Sequence, residues 1–209
     1  MANKESFLIG VTGGSGSGKT TFIRNLRSEF TEEELGLISM DNYYKPRQQQ
    51  VKDEAGELNF DLPSSFIWVD FFKDLAKAKQ AQEIRRMEYT FNNPLAVAQE
   101  IVVPPAKVYL IEGLFLLHDE LLRNLLDLKV LIHADDVYKV IRRIKRDQTE
   151  RNYPLEDVLY KYEKHVSPSY KAYVEPYLSY LDIIVYNNRH FNNALDMFKA
   201  FIREKQAKS

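Results

Sequence analysis

The 209-residue chain contains no cysteine, which excludes disulfides, thiolate-ligated zinc and a cysteine nucleophile. It has no excess of either charge, with 29 Lys and Arg against 30 Asp and Glu. A protein that neutralises a nucleic-acid backbone without sequence preference carries a basic excess, so no nucleic-acid partner is expected. Long hydrophobic runs are also missing. The apolar part of MANKESFLIGV is too short for a signal-peptide core, and nothing approaches the ~20 apolar residues of a membrane span. The expectation is a soluble, cytoplasmic chain with no membrane partner. Glycine is scarce at eight residues, yet Gly13, Gly14, Gly16 and Gly18 fall almost side by side.

What is present is 44% hydrophobic residue content in a length suited to one core, so residues 1–209 read as a single domain. Near-continuous apolar runs at Phe7 to Val11, Leu35 to Met40, Lys107 to Ile111, Leu128 to Ile132 and Ile183 to Tyr186 read as strands buried on both faces. Helical patterns separate them at Lys19 to Phe30, Ser65 to Gln82, Glu120 to Leu126, Val137 to Glu150, Leu155 to Tyr170 and Asn193 to Glu204. Alternation of this kind predicts an α/β fold with a doubly wound, mainly parallel five-stranded sheet. Residues 83–103 break the rhythm and read as an inserted β-hairpin. The polar stretch Lys45 to Glu57 reads as an exposed, mobile loop.

Gly13-Gly14-Ser15-Gly16-Ser17-Gly18-Lys19-Thr20, followed by Thr21, fits G-x-x-x-x-G-K-[ST] and lies between a strand and a helix. Glycines let successive N–H groups point inward, and the helix adds the positive end of its dipole, so the loop cradles a polyphosphate. Lys19 then bridges the terminal phosphates and Thr20 ligates Mg²⁺. This predicts a nucleoside triphosphate ligand and a P-loop NTPase fold. A switch GTPase would carry D-x-x-G after a core strand and N-K-x-D on a later one. The only D-x-x-G, Asp53 to Gly56, sits in the polar loop, and Asn3-Lys4 precedes the first strand. A small-molecule kinase suits the length best.

Such an enzyme needs a carboxylate near Mg²⁺, an orienter or base for the accepting hydroxyl, and mobile positive charge over the transferred group. Glu112 and Asp41 each end a core strand on the carboxyl edge of the sheet, Glu112 as the metal-side carboxylate and Asp41 as the candidate general base. Arg142, Arg143, Arg146 and Arg151 cluster on and after one helix, with Arg143 spaced to pair with Asp147, and suggest a mobile lid over about 143–155. The nine tyrosines from Tyr138 to Tyr186 read as packing or subunit contacts, and His118 and His133 as structural.

Together GVTGGSGSGKTT, MDNYYKP, LNFDLPSSF, LIEGLFLL and RRIKRDQTER resemble the uridine kinase family, within the group that includes phosphoribulokinase and pantothenate kinase, over about residues 7–190. The resemblance implies an ATP- or GTP-dependent, Mg²⁺-requiring kinase that phosphorylates the 5′-hydroxyl of uridine or cytidine. It implies Asp41 as catalytic aspartate, Tyr44 and Tyr89 at the nucleoside pocket, Asp61 on the ribose hydroxyls and Arg143 on the sugar. Arg146 and Arg151 would join Lys19 on the phosphates, with Glu112 beside magnesium. By analogy Asn188 and Arg189 approach the adenine edge, and a homo-oligomer is allowed.

Two departures stand out. Pro94 and Ala96 occupy the places of the family's base-reading His and following Arg, and Glu150-Arg151-Asn152-Tyr153 replaces E-R-G-R. They leave open a different acceptor within the superfamily, such as pantothenate, a phosphopentose or another sugar-like alcohol, or a decayed nucleotide-binding regulator.

Overall fold

The computed structural model describes residues 5–90 and 97–208, so Pro94 and Ala96 lie outside the described residues. Strands β1 (Phe7–Thr12), β2 (Leu35–Ser39), β7 (Val108–Glu112), β8 (Leu128–His133) and β9 (Ile183–Tyr186) form one parallel sheet in the order β2-β7-β1-β8-β9. The pairing Phe7↔Val108 sets β1 against a strand about a hundred residues later in the chain. All five strands coincide with the apolar runs read above, to within a residue or so.

Alternate residues of these strands feed two cores. Leu8, Ile38, Tyr109 and Ile111 pack with Phe71 and Leu75 of helix α2 (Trp68–Lys79) and Leu122 of α3 (Glu120–Leu125). Ile9, Val11, Leu110 and Val130 pack with Phe22 and Leu26 of α1 (Lys19–Arg27) and with Phe198 and Ile202 of α7 (Asn192–Lys208). Burying each such Leu, Ile or Phe is worth roughly 1.5–3 kcal/mol, which is why the sheet tolerates no polar residue along these positions.

Strand register positions the functional edge. Glu112 is level with Val11 of β1 on one side and with Ser39 of β2 on the other. The glycine loop follows β1 and Asp41 follows β2, so three features far apart in sequence leave the sheet at one height.

Elsewhere the reading needs correction. The helix expected from Ser65 begins only at Trp68, because Pro63-Ser64-Ser65 take a tight 3₁₀ turn. The helix expected over Leu155 to Tyr170 is three pieces: α5 (Leu155–Lys161), a π-helical turn Tyr162–Val166, and α6 (Ser167–Tyr173). In the wide turn the Ser167 N–H reaches the Tyr162 carbonyl, and the extra residue accommodates Pro168, which has no N–H to donate and would crowd a regular helix. Lys45 to Glu57 is mostly exposed, as read, but it is not without regular structure. It contains a 3₁₀ turn and half of a small antiparallel pair, β3 (Val51–Lys52) with β4 (Leu58–Asn59). Within residues 83–103, β5 (Ile84–Met87) pairs antiparallel with β6 (Glu100–Val103).

The base of that pair is tied to the turn carrying Asp41. Tyr43 Oη donates to Asp74 Oδ2 at 2.9 Å, Arg86 Nη1 donates to the same oxygen at 2.8 Å, and the guanidinium lies 3.4 Å above the Tyr43 ring.

Candidate active site

Helix α1 begins directly at Lys19, with no side-chain cap and no acidic residue in its first turn, so its leading N–H groups present uncompensated positive charge. Gly18 takes φ +93°, and a Cβ there would collide with the Asn187 amide; Gly16 takes φ +81°, and a Cβ there would strike the Lys139 carbonyl. Only glycine meets both the dihedral and the space. Asn187 braces the loop from below, its Nδ2 donating to the Ser17 carbonyl at 2.8 Å. The loop therefore has the narrow, donor-rich form that suits a polyphosphate. Thr20 and Thr21 are exposed on the first turn of α1 beside it.

Lys19 Nζ lies 2.6 Å from Glu112 Oε1, joining the loop to the end of β7. Asp41 stands in a turn whose amide is held by Ser39 Oγ at 3.4 Å. Asp41 is exposed to solvent on one side, yet the protein packed around it pushes its carboxyl above the usual carboxylate range. Lys19 opposes that rise, and Glu112 adds to it. Asp61 is likewise pushed up by burial, and opposed by Arg143, His165, Arg151 and Lys161. Two carboxylates and Lys19 thus share one electrostatic cleft.

An aromatic wall closes the far side. The Tyr44 ring lies 4.2 Å from Phe66, 5.3 Å from Tyr89 and 5.8 Å from Phe60, centroid to centroid. The Tyr89 N–H donates to Asn42 Oδ1 at 3.3 Å. Burial, and then the charges of Asp41 and Asp61, hold the Tyr44 hydroxyl well above its ordinary range, so it stays a neutral donor.

Helix α4 (Asp136–Glu150) has an unusual buried stripe: Lys139, Arg143 and Asp147, four residues apart. A charged stripe contributes little to an apolar core, so its burial points to a site. Asp147 gathers the arginines. Arg146 Nη2 lies 2.8 Å and Arg151 Nη1 3.4 Å from Oδ1, while Arg143 Nε lies 3.3 Å from Oδ2. Arg143 Nη1 and Arg146 Nη2 also donate to Ser15 Oγ of the glycine loop at 2.8 and 3.4 Å. After α4 the chain turns through Asn152 at φ +54°, a left-handed position that Asn tolerates.

Sequence matching extends this picture. The profile of the Phosphoribulokinase / Uridine kinase family matches residues 8–193. The chain belongs to this family. A uridine kinase of Limosilactobacillus reuteri is 35% identical over 202 residues, covering 97% of this chain and 93% of that one. A uridine kinase of Borrelia duttonii is 35% identical over 196 residues, 94% of each chain. The solved phosphoribulokinase from Rhodobacter spheroides shares the fold at TM-score 0.60 and 19% identity, over 88% of this chain and 71% of that one. As a member of the phosphoribulokinase/uridine kinase family the protein is a phosphotransferase with a hydroxyl acceptor, drawing on a nucleoside triphosphate.

Against that membership the sequence-derived residues divide. Lys19, Glu112, Asp41, Asp61, Tyr44, Tyr89, Arg143, Arg146 and Arg151 are linked by hydrogen bonds, ring contacts and charge interactions into one network, which reaches the glycine loop through Lys19 and Ser15. Arg142 does not join them: it turns away to the carbonyls of Asn187 at 2.8 Å and Asn188 at 3.3 Å. Asn188 is paired with Asp135 through its own side chain. Of the tyrosines read as packing or subunit contacts, Tyr138, Tyr153, Tyr180 and Tyr186 are exposed. Sequence reasoning passed over Phe60, Ser15 as a lid contact, Asn187, and Asp147 as a hub. The i, i+4, i+8 spacing of Lys139, Arg143 and Asp147 was a visible signal, masked because charged spacing of that kind ordinarily marks a solvated face. Among the described residues no helix is long and apolar enough to cross a membrane, and no group of three or more His, Cys, Asp or Glu is placed to hold a metal.

Proposed function

We propose that the protein transfers the γ-phosphoryl group of ATP, with Mg²⁺, to the 5′-hydroxyl of a pyrimidine nucleoside, with uridine as the leading acceptor. The observation that carries the reading is the shared cleft of Asp41 and Asp61 beside Lys19, closed by the Tyr44 wall. It is supported by relatives named uridine kinase over nearly the whole chain.

In this reading Asp61 grips the vicinal ribose hydroxyls with Arg143, and Tyr44, Phe60 and Tyr89 face the base. Asp41 accepts the proton of the attacking hydroxyl as the O–P bond forms. Lys19, Arg146 and Arg151 neutralise charge on the transferred group, and the uncapped start of α1 holds the remaining phosphates. The Thr20 hydroxyl and Glu112 carboxylate are a donor set suited to magnesium, which supplies charge neutralisation at the phosphate oxygens when bound. Residues 143–155, whose Arg143 and Arg146 already reach Ser15 of the glycine loop, cover the phosphates, exclude water and so suppress idle hydrolysis.

The test is acceptor-dependent ADP release from ATP across uridine, cytidine, purine nucleosides, pantothenate and sugar phosphates. The expected result is turnover with uridine and cytidine at the highest kcat/KM. Preferential turnover of a non-nucleoside alcohol would overturn the acceptor assignment, and tight ATP binding without acceptor-stimulated turnover would overturn the activity.

A further inference from the structure

Asp53 lies in the β3–β4 turn, outside the site assembled above, yet all of its carboxylate is used. Oδ1 accepts from the N–H groups of Ala55 at 2.9 Å and Glu57 at 2.8 Å, closing a turn that Gly56 completes at φ +85°. Oδ2 accepts from Tyr160 Oη at 2.7 Å and lies 2.7 Å from His165 Nε2. A carboxylate with these partners is ionised and only accepts, so the His165 proton sits on Nε2. The Tyr160 and His165 rings meet edge to face at 5.9 Å, and the His165 side chain is only 2% exposed.

The two ends of this contact have different duties. Tyr160 stands on α5 and His165 in the π-helical turn, both just beyond the arginine-bearing segment. A π-turn re-aims a side chain by one position, and here it turns His165 inward. At the other end β4 is followed, after Phe60, by Asp61. The Asp61 N–H is held by Asn59 Oδ1 at 2.9 Å, and Ser65 Oγ donates to the Asn59 carbonyl at 3.1 Å. The strand pair that leads into Asp61 is therefore tied at its root by Asn59 and at its tip by Asp53. Between these two points it is short, with both of its strands only two residues long. A pair that small is not self-supporting, so its tip contact works with the Asn59 bonds to set where its root points.

We propose that Asp53, Tyr160 and His165 form a clasp that positions Asp61 to hold the acceptor, and that they are positioning residues for acceptor affinity rather than for phosphoryl transfer. This rests on Asp61 being the acceptor's hydroxyl ligand, as read above. Breaking the clasp frees the tip, and Asp61 samples orientations that no longer meet the acceptor. The cost falls on acceptor KM. Lys19 and Asp41, on other elements, keep their geometry, so kcat at saturation and the KM for ATP are spared.

The experiment compares Asp53→Asn, Tyr160→Phe, His165→Phe and His165→Gln with the parent in the full chain. Acceptor KM, ATP KM and kcat are measured with uridine, and amide exchange over residues 58–62 is measured without any substrate. Charge-assisted hydrogen bonds are the strong ones, so Asp53→Asn and His165→Phe are expected to raise uridine KM about tenfold and speed exchange at 58–62, with ATP KM and kcat within about twofold. Tyr160→Phe, which keeps shape, moves the same readouts less. His165→Gln keeps an N–H donor and restores most of the KM. Unchanged uridine KM together with unchanged exchange overturns the clasp, as does a fall in kcat at constant KM or failure of His165→Gln to rescue. If the parent turns over a different alcohol instead, the acceptor assignment fails while the clasp is still judged on that alcohol's KM. If nothing is turned over, exchange at 58–62 alone decides it.

Discussion

Lys19 Nζ donates to Glu112 Oε1 at 2.6 Å, so the two groups proposed to meet the triphosphate and its metal are already each other's partner. The pair is partly buried, and it holds the ammonium at the end of the glycine loop.

Lys19→Met removes the charge that meets the transferred group, and kcat is expected to fall at least about 10²-fold. Glu112→Gln keeps a hydrogen-bond acceptor for Lys19 but loses the metal-side charge. Half-maximal activity should then require roughly tenfold more Mg²⁺. Steady-state titration with Mg²⁺ separates the two, and an unchanged requirement in Glu112→Gln removes that residue from the metal.

Burial pushes the Asp41 carboxyl up, with Lys19 and Arg151 opposing and Glu112 and Asp61 reinforcing. A base acts in its ionised form, so kcat/KM declines as pH falls through the raised value, and the acid limb lies above the ordinary Asp range of about 3.9. Asp41→Asn is expected to lower kcat on the order of 10²- to 10⁴-fold and to abolish that limb. Near-normal turnover in the variant rules Asp41 out as the base.

Asp147 is buried beneath three guanidinium groups. Asp147→Asn leaves those charges without their common counter-charge, and stability is expected to drop by about 3 kcal/mol in urea unfolding, with ATP KM raised as the arginines lose their arrangement. A urea midpoint equal to the parent's contradicts the hub.

Hydrogen bonds from Tyr160 and then His165 hold the Asp53 carboxyl down at about 2. Its folded value is depressed below the unfolded value of about 3.9, so its contribution to stability is fully present above that value and is lost as pH falls through about 2. The difference in urea midpoint between parent and Asp53→Asn should therefore be constant near neutral pH, shrink below about 4 and vanish only below about 2. A difference that persists at the lowest pH contradicts this assignment.

Strands, glycine loop and the Glu112 and Asp41 edge were legible because they depend on local apolar runs and on glycine spacing. What escaped depends on distant partners. Asp53 reads as a loop residue until Tyr160 and His165, about a hundred positions away, are brought against it. Arg142 and Arg146 share a helical face in sequence, yet Arg142 is captured by the Asn187 and Asn188 carbonyls and Arg146 by Asp147. The break at the π-turn was written in Pro168, but the apolar spacing around it suggested one continuous helix.

The place of β1 in the middle of the sheet also governs how the chain is made. Its neighbours are β7 and β8, so the strand that carries the glycine loop leaves the ribosome with nothing to pair with. At typical synthesis rates of about 5–20 residues per second, it waits roughly 5–20 s for β7 to follow. During that interval Leu8, Ile9 and Val11 lack the sheet partners that bury them in the folded chain. The glycine loop is braced later still, because Asn187, which holds the Ser17 carbonyl, follows β9 near the far end of the chain.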